Sequence, residues 1–458
     1  MTATARPAYW CELAWLGGTE PVPGVLLELA ADRIARVTRS ARPPSGAHAL
    51  HGLTLPGAAN AHSHAFHRAL RGRTHERGGT FWTWREQMYA LADGLDPDTY
   101  RELATATFAE MVQAGYTCVG EFHYLHHGPG GAPYGDANEI GRALIDAAGA
   151  AGIRLTLLDA CYLAGGFDMP LAGAQLRFTD GDADRWGTRV EALLPDAGPL
   201  VRIGAAIHSV RAVPPHAIVE VATWAARHAT PLHAHVSEQP AENEACLAVT
   251  GRTPVALLAE HGALRAGFTA VHANHLSGDD IALLAGHHCT CCICPTTERD
   301  LGDGIGPTAE LAAAGVRLAV GSDSHAVVDP FDETRALELD ARLRGGRRGV
   351  HGIVELATAM TAAGYRALGW SDGGALAAGH LADLVTVALN GVRLAGTSHT
   401  AALGATVFAA TSADVTDVVV GGRHVVAGGR HRTIDVAAAL ATSIAAAWAE
   451  PPSRVLAR

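Results

Sequence analysis

The stretch Pro56-Gly57-Ala58-Ala59-Asn60-Ala61-His62-Ser63-His64 directly follows the apolar segment Leu53-Thr54-Leu55. It ends in two histidines separated by one residue. On an extended backbone, residues i and i+2 point to the same side, so both imidazoles can reach one cation at the end of a strand. Two histidines fall short of the three protein ligands that a catalytic zinc usually has. The remaining ligands must therefore come from other segments of the chain.

Short apolar segments alternate with amphipathic segments over most of the chain, and most of the apolar ones end in a polar cluster. Eight of them predict strands: 53–59, 116–120, 153–158, 201–207, 231–234, 268–271, 288–293 and 316–320. Helical periodicity is found between most of these strands, for example over 102–113, 139–148, 218–228 and 307–314. Eight βα steps close a (β/α)8 barrel, so we predict an α/β fold with a TIM-type barrel over residues 56–373.

The flanking regions have a different pattern. Alternating apolar and polar residues with tight turns occur over 25–29, 33–37, 379–387, 415–420 and 422–426. We expect these segments to pair as one small β-sandwich-like domain built from both chain ends, residues 1–55 and 374–458. A helix near 354–368 precedes the second half of this domain, and an alanine-rich helix near 436–448 follows its strands.

The polar clusters after the predicted strands supply a candidate metal-binding set: His62, His64, His235 and Asp323. In barrels of this kind the C-terminal ends of the strands carry the active site. Three imidazoles and one carboxylate suit a borderline cation such as zinc and leave room for a water molecule. Such an ion lowers the pKa of its water to about 7, which makes hydroxide available at neutral pH.

Two further residues predict acid–base chemistry beside this set. Glu238 lies three residues after His235 and can reach the same water without binding the ion, so it is the candidate proton shuttle. His272, at the next strand end, can orient the water or stabilise charge. His233 remains an alternative ligand because it shares the face of His235, and Asp323 could instead cap a helix.

Composition narrows the function classes. The net charge of −11 disfavours nucleic acid or an anionic membrane as a partner. No signal peptide and no apolar run long enough to cross a bilayer is evident, which predicts a cytoplasmic protein. All 35 basic residues are arginine, so mechanisms that need a Schiff-base lysine or a carboxylated lysine bridging two metals are excluded.

The eight cysteines are too few to predict a disulfide scaffold. Cys291 and Cys294 form a C-x-x-C pair, but a structural zinc needs a second pair of ligands at suitable spacing. Thiols on a short apolar strand behave as small hydrophobic groups. We therefore favour core packing for the cluster over 289–294.

The chain resembles the amidohydrolase superfamily, since His62-Ser63-His64, His235, His272 and Gly321-Ser322-Asp323-Ser324-His325 occur in the order of that superfamily. Within it, the chain is most similar to the formimidoylglutamate deiminase family. Further matching segments cover 81–86, 120–127, 208–213, 233–239, 294–298 and 301–304. The resemblance extends over nearly the whole chain.

The resemblance implies hydrolysis of N-formimino-L-glutamate to N-formyl-L-glutamate and ammonia, with one divalent metal, usually Zn2+, per subunit. Metal-bound hydroxide would attack the formimino carbon. Glu238 would carry a proton to the imine nitrogen, Asp323 would take up a proton, and His272 would help hold the water. Arg85 and Arg211, assisted by Tyr124 and His208, would bind the two carboxylates of the substrate, because the planar guanidinium of arginine matches a carboxylate.

One residue departs from the family pattern: His67 occupies a position where the family usually has glutamine. An amide donates and accepts through separate atoms, whereas a neutral imidazole does so with fixed tautomer geometry. We therefore expect His67 to contact the substrate and to affect its placement. Arg85 has an alternative interpretation as a solvated helix residue or a cation–π partner of Trp82 or Trp84.

Two other functions remain open at this point. A related deaminase acting on another amidine, a guanidino acid or an aminated heterocycle would share the metal site. A catalytically inactive barrel with a binding or assembly role would be indifferent to chelation. A small dicarboxylate as substrate and a homodimer are expected, and the Trp-rich loop 81–84 is a candidate lid.

Overall fold

The computed structural model describes residues 7–75 and 79–449, and its centre is a closed parallel barrel. Eight strands form the barrel in chain order: β5 (Ala58–Ser63), β6 (Tyr116–His123), β7 (Arg154–Cys161), β8 (Val201–Ile207), β9 (Leu232–Val236), β10 (Phe268–His272), β11 (Thr290–Ile293) and β12 (Arg317–Val320). The barrel closes just beyond the ends of β5 and β12, where Ser63 and Asp323 form a parallel bridge. Asp323 N–H donates to His62 O at 3.0 Å, and His64 N–H donates to Asp323 O at 3.2 Å. The predicted TIM-type barrel is confirmed.

Most of the helices connect the barrel strands and pack around them. Those in the barrel region are α1 (Phe81–Gly94), α2 (Pro97–Ala114), α3 (Glu139–Ala151), α4 (Ala183–Glu191), α5 (Pro215–Arg227), α6 (Pro240–Thr250), α7 (Pro254–Glu260), α8 (Gly278–Gly286), α9 (Pro295–Leu301), α10 (Thr308–Ala313) and α11 (Pro330–Gly345). Further along, α12 (Ile353–Thr358), a π-helical turn (Ala359–Ala363) and α13 (Gly364–Ala367) follow one another directly. Two helices, α14 (Ala402–Ala409) and α15 (Val436–Ala447), lie beyond the barrel.

Helix α2 illustrates how local sequence sets these bounds. Asp96 accepts a hydrogen bond from Thr99 N–H at 2.8 Å, and the Thr99 hydroxyl accepts from Asp96 N–H at 2.9 Å. This reciprocal cap satisfies two backbone donors, and Pro97 fits the first helical position because its missing N–H has no partner there. The helix ends at Gly115, which adopts a φ of 109° that a side chain would disfavour.

A second eight-stranded sheet is built from the segments that flank the barrel. Its strands are β1 (Ala8–Ala14), β2 (Val22–Ala30), β3 (Arg33–Arg39), β4 (His48–Pro56), β13 (Leu384–Val387), β14 (Val415–Val420), β15 (Arg423–Ala427) and β16 (Arg430–His431), in the order β16-β15-β14-β13-β4-β1-β2-β3. The edge strand β3 folds back to the segment before β13, where Ile34 N–H donates to His380 O at 2.9 Å. The expected β unit built from both chain ends is confirmed, and its strands form one sheet.

One predicted strand corresponds to two strands of the structure. The segment 53–59 is two strands, because β4 ends at Pro56 in the small sheet and β5 begins at Ala58 in the barrel. Gly57 lies between them, and a Cβ there would be 1.9 Å from Thr117 Oγ1. The polypeptide therefore passes from one sheet to the other within one residue, at a point too tight for any side chain.

A buried ion pair joins the barrel to the small sheet. Arg154, the first residue of β7, donates to Asp383 through Nε at 2.6 Å and Nη2 at 3.1 Å, and neither side chain is exposed. Asp383 also accepts from Tyr365 Oη and Gly421 N–H, each at 2.7 Å. Every oxygen of this carboxylate is thus bonded, which meets the requirement for a buried charge. Among the described residues, no helix is long and apolar enough to cross a membrane.

Candidate active site

The candidate site lies at the C-terminal ends of the barrel strands, where the backbone is strained. Positive φ angles occur at Ser237 (53°), His272 (67°), Asp323 (42°) and His325 (56°). Such angles cost about 1–3 kcal/mol each for residues other than glycine and cluster at functional sites. The polar residues were expected to follow the strands, whereas His62, His235 and His272 are the last or next-to-last residues within them.

Four of the predicted side chains converge on one point: His62, His64, His235 and Asp323. His235 Nε2 lies 3.1 Å from His62 Nε2 and 3.3 Å from His64 Nε2. Asp323 Oδ1 lies 3.2 Å from His62 Nε2 and 3.4 Å from His64 Nε2. Ligand atoms around a tetrahedral zinc, with bonds of about 2.0–2.1 Å, lie roughly 3.3 Å apart. The spacing of these donors fits such an ion.

The hydrogen bonds of two of these histidines explain why a cation is needed. His64 Nδ1 lies 2.9 Å from Phe122 O, and His235 Nδ1 lies 2.8 Å from His208 O. A carbonyl oxygen only accepts, so each Nδ1 carries the proton and each Nε2 presents a lone pair. Burial lowers the pKa of His62, His64 and His235, which keeps the rings neutral. Facing lone pairs repel one another unless a cation lies between them, so the donor set fits a divalent metal.

The alternatives raised for His233 and Asp323 do not match the geometry. His233 is fully buried and its Nε2 donates to Ala367 O at 2.9 Å, away from the four-residue group. Asp323 caps no helix, since α11 begins at Pro330 and its cap is Asp329. The structure thus brings His235 and Asp323, and not His233, into the cluster.

Glu238 and His272 lie beside this cluster and are accompanied by two further acids. His272 Nε2 is 3.7 Å from Glu238 Oε1 and 4.0 Å from Asp323 Oδ2, and its Nδ1 is 3.5 Å from Glu298 Oε1. Asp303 groups with Glu238 and His272 and accepts a hydrogen bond from Gln239 Nε2. Glu298 and Asp303 were not predicted, although Glu298 lies just after strand β11, the signal that identified the others.

The electrostatics of these groups suit proton transfer near neutral pH. Burial raises the pKa of Glu238 to about 7 and that of Asp303 to about 9. Burial disfavours the imidazolium form of His272, but the carboxylates of Glu238 and Glu298 outweigh burial and raise its pKa well above the usual value. A carboxyl group with a pKa near 7 can both take and return a proton at physiological pH.

Glu121 supports the segment that carries His62 and His64, and no role was predicted for it either. Its carboxylate accepts from Ser63 Oγ at 2.6 Å and from Ala65 N–H at 2.7 Å. Ser63 lies between His62 and His64, so these bonds fix the backbone that presents both rings. Burial raises the pKa of Glu121 to about 8.

The cluster opens into a pocket that contains every predicted substrate-binding side chain. The lining combines acid–base, cationic and aromatic residues: His64, His67, Phe81, Trp84, Arg85, Met88, Tyr89, Tyr124, Tyr162, Phe178, His208, Arg211, His235, Glu238, His272, Leu301 and Asp323. His67 Nε2 is 2.8 Å from Tyr124 Oη, so these two predicted residues form one unit of the wall. His208 packs edge-on against Tyr124 with ring centroids 5.5 Å apart.

The two arginines of the pocket have different surroundings. Arg85 stacks on Trp82, with its guanidinium carbon 4.4 Å from the ring centroid, so the alternative cation–π contact is present while Arg85 still lines the pocket. Arg211 lies deeper and pairs with the buried Glu242 through Nε at 3.3 Å. Its terminal nitrogens remain available to an anion.

Arg177, in the segment between β7 and α4, holds the C-terminal end of helix α1 beside the pocket. Arg177 is buried and donates to Ala92 O, Leu95 O and His127 O. The candidate lid at 81–84 is the first turn of α1 and not a loop, which corrects the description given from sequence. Tyr162 and Tyr89 were also missed; Tyr162 directly follows strand β7, and Tyr89 lies one helical turn after Arg85.

The cysteine cluster lies in apolar packing, as predicted. All four thiols over 289–294 are buried. Cys289 and Cys291 belong to the main core, whereas Cys292 and Cys294 face the opposite side with Ala61 and Val271.

Comparisons with known proteins agree with this geometry. The model of the Amidohydrolase family matches residues 53–425. The chain is 38% identical to formimidoylglutamate deiminase of Pseudomonas aeruginosa over 89% of this chain and 92% of that protein. An amidohydrolase from Brucella melitensis has a TM-score of 0.90 at 32% identity, covering 97% of this chain and all of that one. Atrazine chlorohydrolase from Arthrobacter aurescens, solved with zinc, has a TM-score of 0.83 at 25% identity over 95% of this chain and 99% of its own. The family match spans the whole barrel and the four-donor cluster, and the chain therefore belongs to the amidohydrolase family.

Proposed function

We propose that this chain is a zinc-dependent deiminase that hydrolyses N-formimino-L-glutamate to N-formyl-L-glutamate and ammonia, as in histidine degradation. The observation that carries the proposal is the position of Glu238, with a pKa of about 7, between a four-donor cluster and a pocket lined by two arginines. The similarity to formimidoylglutamate deiminase over nearly the full length supports it.

His62, His64, His235 and Asp323 would hold one zinc ion per subunit. Three nitrogen donors and one oxygen donor with tetrahedral spacing favour zinc over calcium or magnesium, which prefer oxygen ligands. Zinc bound there lowers the pKa of a water molecule and so supplies hydroxide at neutral pH.

The protein side chains account for the proton transfers. Glu238 takes a proton from the water and gives it to the imine nitrogen, so the formimino carbon becomes more electrophilic as the water oxygen adds to it. Asp323 then accepts the remaining proton of the added hydroxyl, and that proton passes to the amino group. The carbon–nitrogen bond breaks, ammonia leaves and the formyl carbonyl forms. His272, positively charged between Glu238 and Glu298, orients the water and stabilises negative charge on its oxygen.

The pocket supplies partners for the substrate. Arg85 and Arg211 would bind its carboxylates, with Tyr124 and His208 donating additional hydrogen bonds. His67 would contact the substrate through the unit that it forms with Tyr124.

His67 is also the observation that favours a second candidate, a related deaminase acting on another amidine or a guanidino acid. Its Nδ1 is buried without a hydrogen-bond partner among the described residues, so it can bond a ligand whose shape differs from the one that an amide would select. Two arginines in the pocket argue against a neutral heterocycle.

We also propose a cytoplasmic location and a homodimer, and we retain 56–373 as the bounds of the hydrolase barrel, with 1–55 and 374–458 as the small domain. These proposals follow from the resemblance and from the division of the sheets.

The decisive experiment is ammonia release by metal-analysed protein from N-formimino-L-glutamate, N-formimino-L-aspartate and a guanidino acid. We expect release from the glutamate derivative. Glu238→Gln should lower kcat by about 10²–10⁴-fold while zinc content stays unchanged, because the amide cannot carry the proton.

Each other result has a distinct meaning. Release only from the guanidino acid would contradict the substrate and support the second candidate. A full metal site with no release from any of the three compounds would contradict both substrates. A protein that binds no zinc and releases no ammonia would be a binding or assembly protein.

A further inference from the structure

Two tyrosines outside the predicted set form the part of the pocket wall farther from the metal-binding cluster. His208 packs against His235 with ring centroids 5.1 Å apart, and Tyr162 packs on His208 at 4.4 Å. Tyr162 is therefore separated from the nearest metal-binding histidine by one intervening ring. Tyr89 lines the same end of the pocket, and the Arg85 guanidinium carbon is 5.6 Å from its ring centroid.

A single buried side chain fixes both phenol groups. Gln175 Nε2 lies 3.1 Å from Tyr89 Oη and 3.0 Å from Tyr162 Oη. Gln175 Oε1 accepts from Ala172 N–H at 3.1 Å, which settles the orientation of the amide because a backbone N–H can only donate. The amide nitrogen thus faces the two tyrosines, and Gly165 O is a longer third contact at 3.5 Å.

This arrangement decides where the phenol protons go. Each hydroxyl oxygen accepts from Gln175, so its own proton is left for another acceptor, and the two phenols also lie within hydrogen-bonding reach of each other. Both tyrosines line the pocket that also contains Arg85 and Arg211, and Glu242 bonds Nε of Arg211. Two neutral donors beside two cations form a cradle for a carboxylate.

We propose that Tyr89 and Tyr162 bind the side-chain carboxylate of the substrate, the one farther from the reacting carbon, and that Gln175 is the positioning residue that directs their protons. The identity of the substrate in this inference rests on the proposed function. The three residues then select acidic substrates by the length of their side chain, because the phenols lie at a fixed distance beyond His208.

The test is steady-state kinetics of the zinc-loaded full-length chain with N-formimino-L-glutamate and with N-formiminoglycine, which lacks the side-chain carboxylate. Tyr89→Phe and Tyr162→Phe should each raise KM for the glutamate derivative about tenfold or more, since a hydrogen bond to a charged group is lost. Both variants should leave kcat within about threefold, and they should leave the kinetics with N-formiminoglycine unchanged. Tyr116→Phe is the matched control, because the Tyr116 hydroxyl is buried without a partner among the described residues, at the start of β6.

Gln175→Glu separates positioning from a structural role. A carboxylate would accept the two phenol protons and turn them away from the pocket, while it could still accept from Ala172 N–H. We expect this variant to keep its melting temperature and to raise KM for N-formimino-L-glutamate at least as much as either Tyr→Phe change. An unchanged KM in Gln175→Glu, or an equal loss with N-formiminoglycine, would overturn the proposal.

Titration calorimetry with glutarate keeps this inference separate from the proposed function. Glutarate should bind the wild-type protein and should bind both Tyr→Phe variants about tenfold more weakly, with butyrate as the monocarboxylate control. If no ammonia is released from N-formimino-L-glutamate but glutarate binding depends on both tyrosines, the function fails and the carboxylate cradle stands. If ammonia is released and glutarate binding ignores both tyrosines, the cradle fails and the function stands.

Discussion

Glu121 bonds the residues on either side of His64, Ser63 and Ala65, and so supports the segment that carries His62 and His64. Glu121→Ala removes both acceptors, so the rings of His62 and His64 should lose their fixed orientation. We predict that zinc affinity falls about 10–100-fold, as is typical when a group that supports metal ligands is lost. Competition with a chromogenic chelator measures this affinity directly.

Glu220→Ala, on the exposed face of α5, is the matched control for the loss of one carboxylate. It should leave zinc affinity unchanged. Equal zinc affinity in Glu121→Ala and Glu220→Ala would show that the backbone around Ser63 needs no support.

Individual residues that can bind a metal could be predicted from the sequence. The residues that position other side chains could not. His62, His64, His235 and Asp323 could be grouped because they follow strands that converge at one end of a barrel. Glu121 also directly follows a predicted strand, but its role could not be predicted, and Gln175 follows no predicted strand. A carboxylate or an amide has many possible partners until the fold brings a particular one within reach.

Helix α1 carries Arg85 and Tyr89 into the pocket, and Arg177 holds its C-terminal end by donating to Ala92 O and Leu95 O. We predict that Arg177→Leu releases this end of the helix. KM for the substrate should rise at least fivefold, while zinc content should be unchanged, because none of the hydrogen bonds of Arg177 among the described residues involves His62, His64, His235 or Asp323. The free energy of unfolding should fall by about 1–3 kcal/mol, the usual cost of leaving buried carbonyls without donors.

Arg185→Leu is the control, since Arg185 pairs with Asp182 on the surface with 75% of its side chain exposed. Limited proteolysis should cut Arg177→Leu within α1 and spare Arg185→Leu. Identical digestion patterns would contradict the anchoring role.

Elements were predictable where the periodicity was strong, and boundaries were not. The strand β14 matches its predicted bounds of 415–420, whereas 53–59 is divided between two sheets. Apolar residues continue without a break across Gly57, so nothing in the pattern marks the change of sheet. Glycine is required at position 57 by the close approach of Thr117, which is distant in sequence.

The barrel and the small sheet meet at the buried pair of Arg154 and Asp383. Asp383→Ala leaves the buried guanidinium with only the more distant Asp32, at 3.9 Å, as a counter-charge, and it removes the acceptor of Tyr365 and Gly421. We predict a loss of about 3–5 kcal/mol in the free energy of unfolding, measured by urea denaturation. The metal-binding cluster should be unaffected in the folded fraction.

Asp98→Ala is the matched control, because the pair that Asp98 forms with Arg101 is exposed and contributes about 0–1 kcal/mol. Asp383→Asn offers a milder version that keeps one acceptor. A change below about 1 kcal/mol for both substitutions at 383 would mean that the two units are held together by other contacts.

The order of strands in the small sheet also has a consequence for how the chain is made. Strand β4 lies between β1 and β13, and the whole barrel is encoded between β4 and β13. A ribosome therefore releases β1 to β4 first, and β4 keeps one edge unpaired until the barrel has been synthesised and β13 emerges. Closing this sheet joins residues far apart in the sequence, which makes it a slow step that depends on the barrel having folded. The barrel thus acts as the spacer that brings two partners of one sheet together.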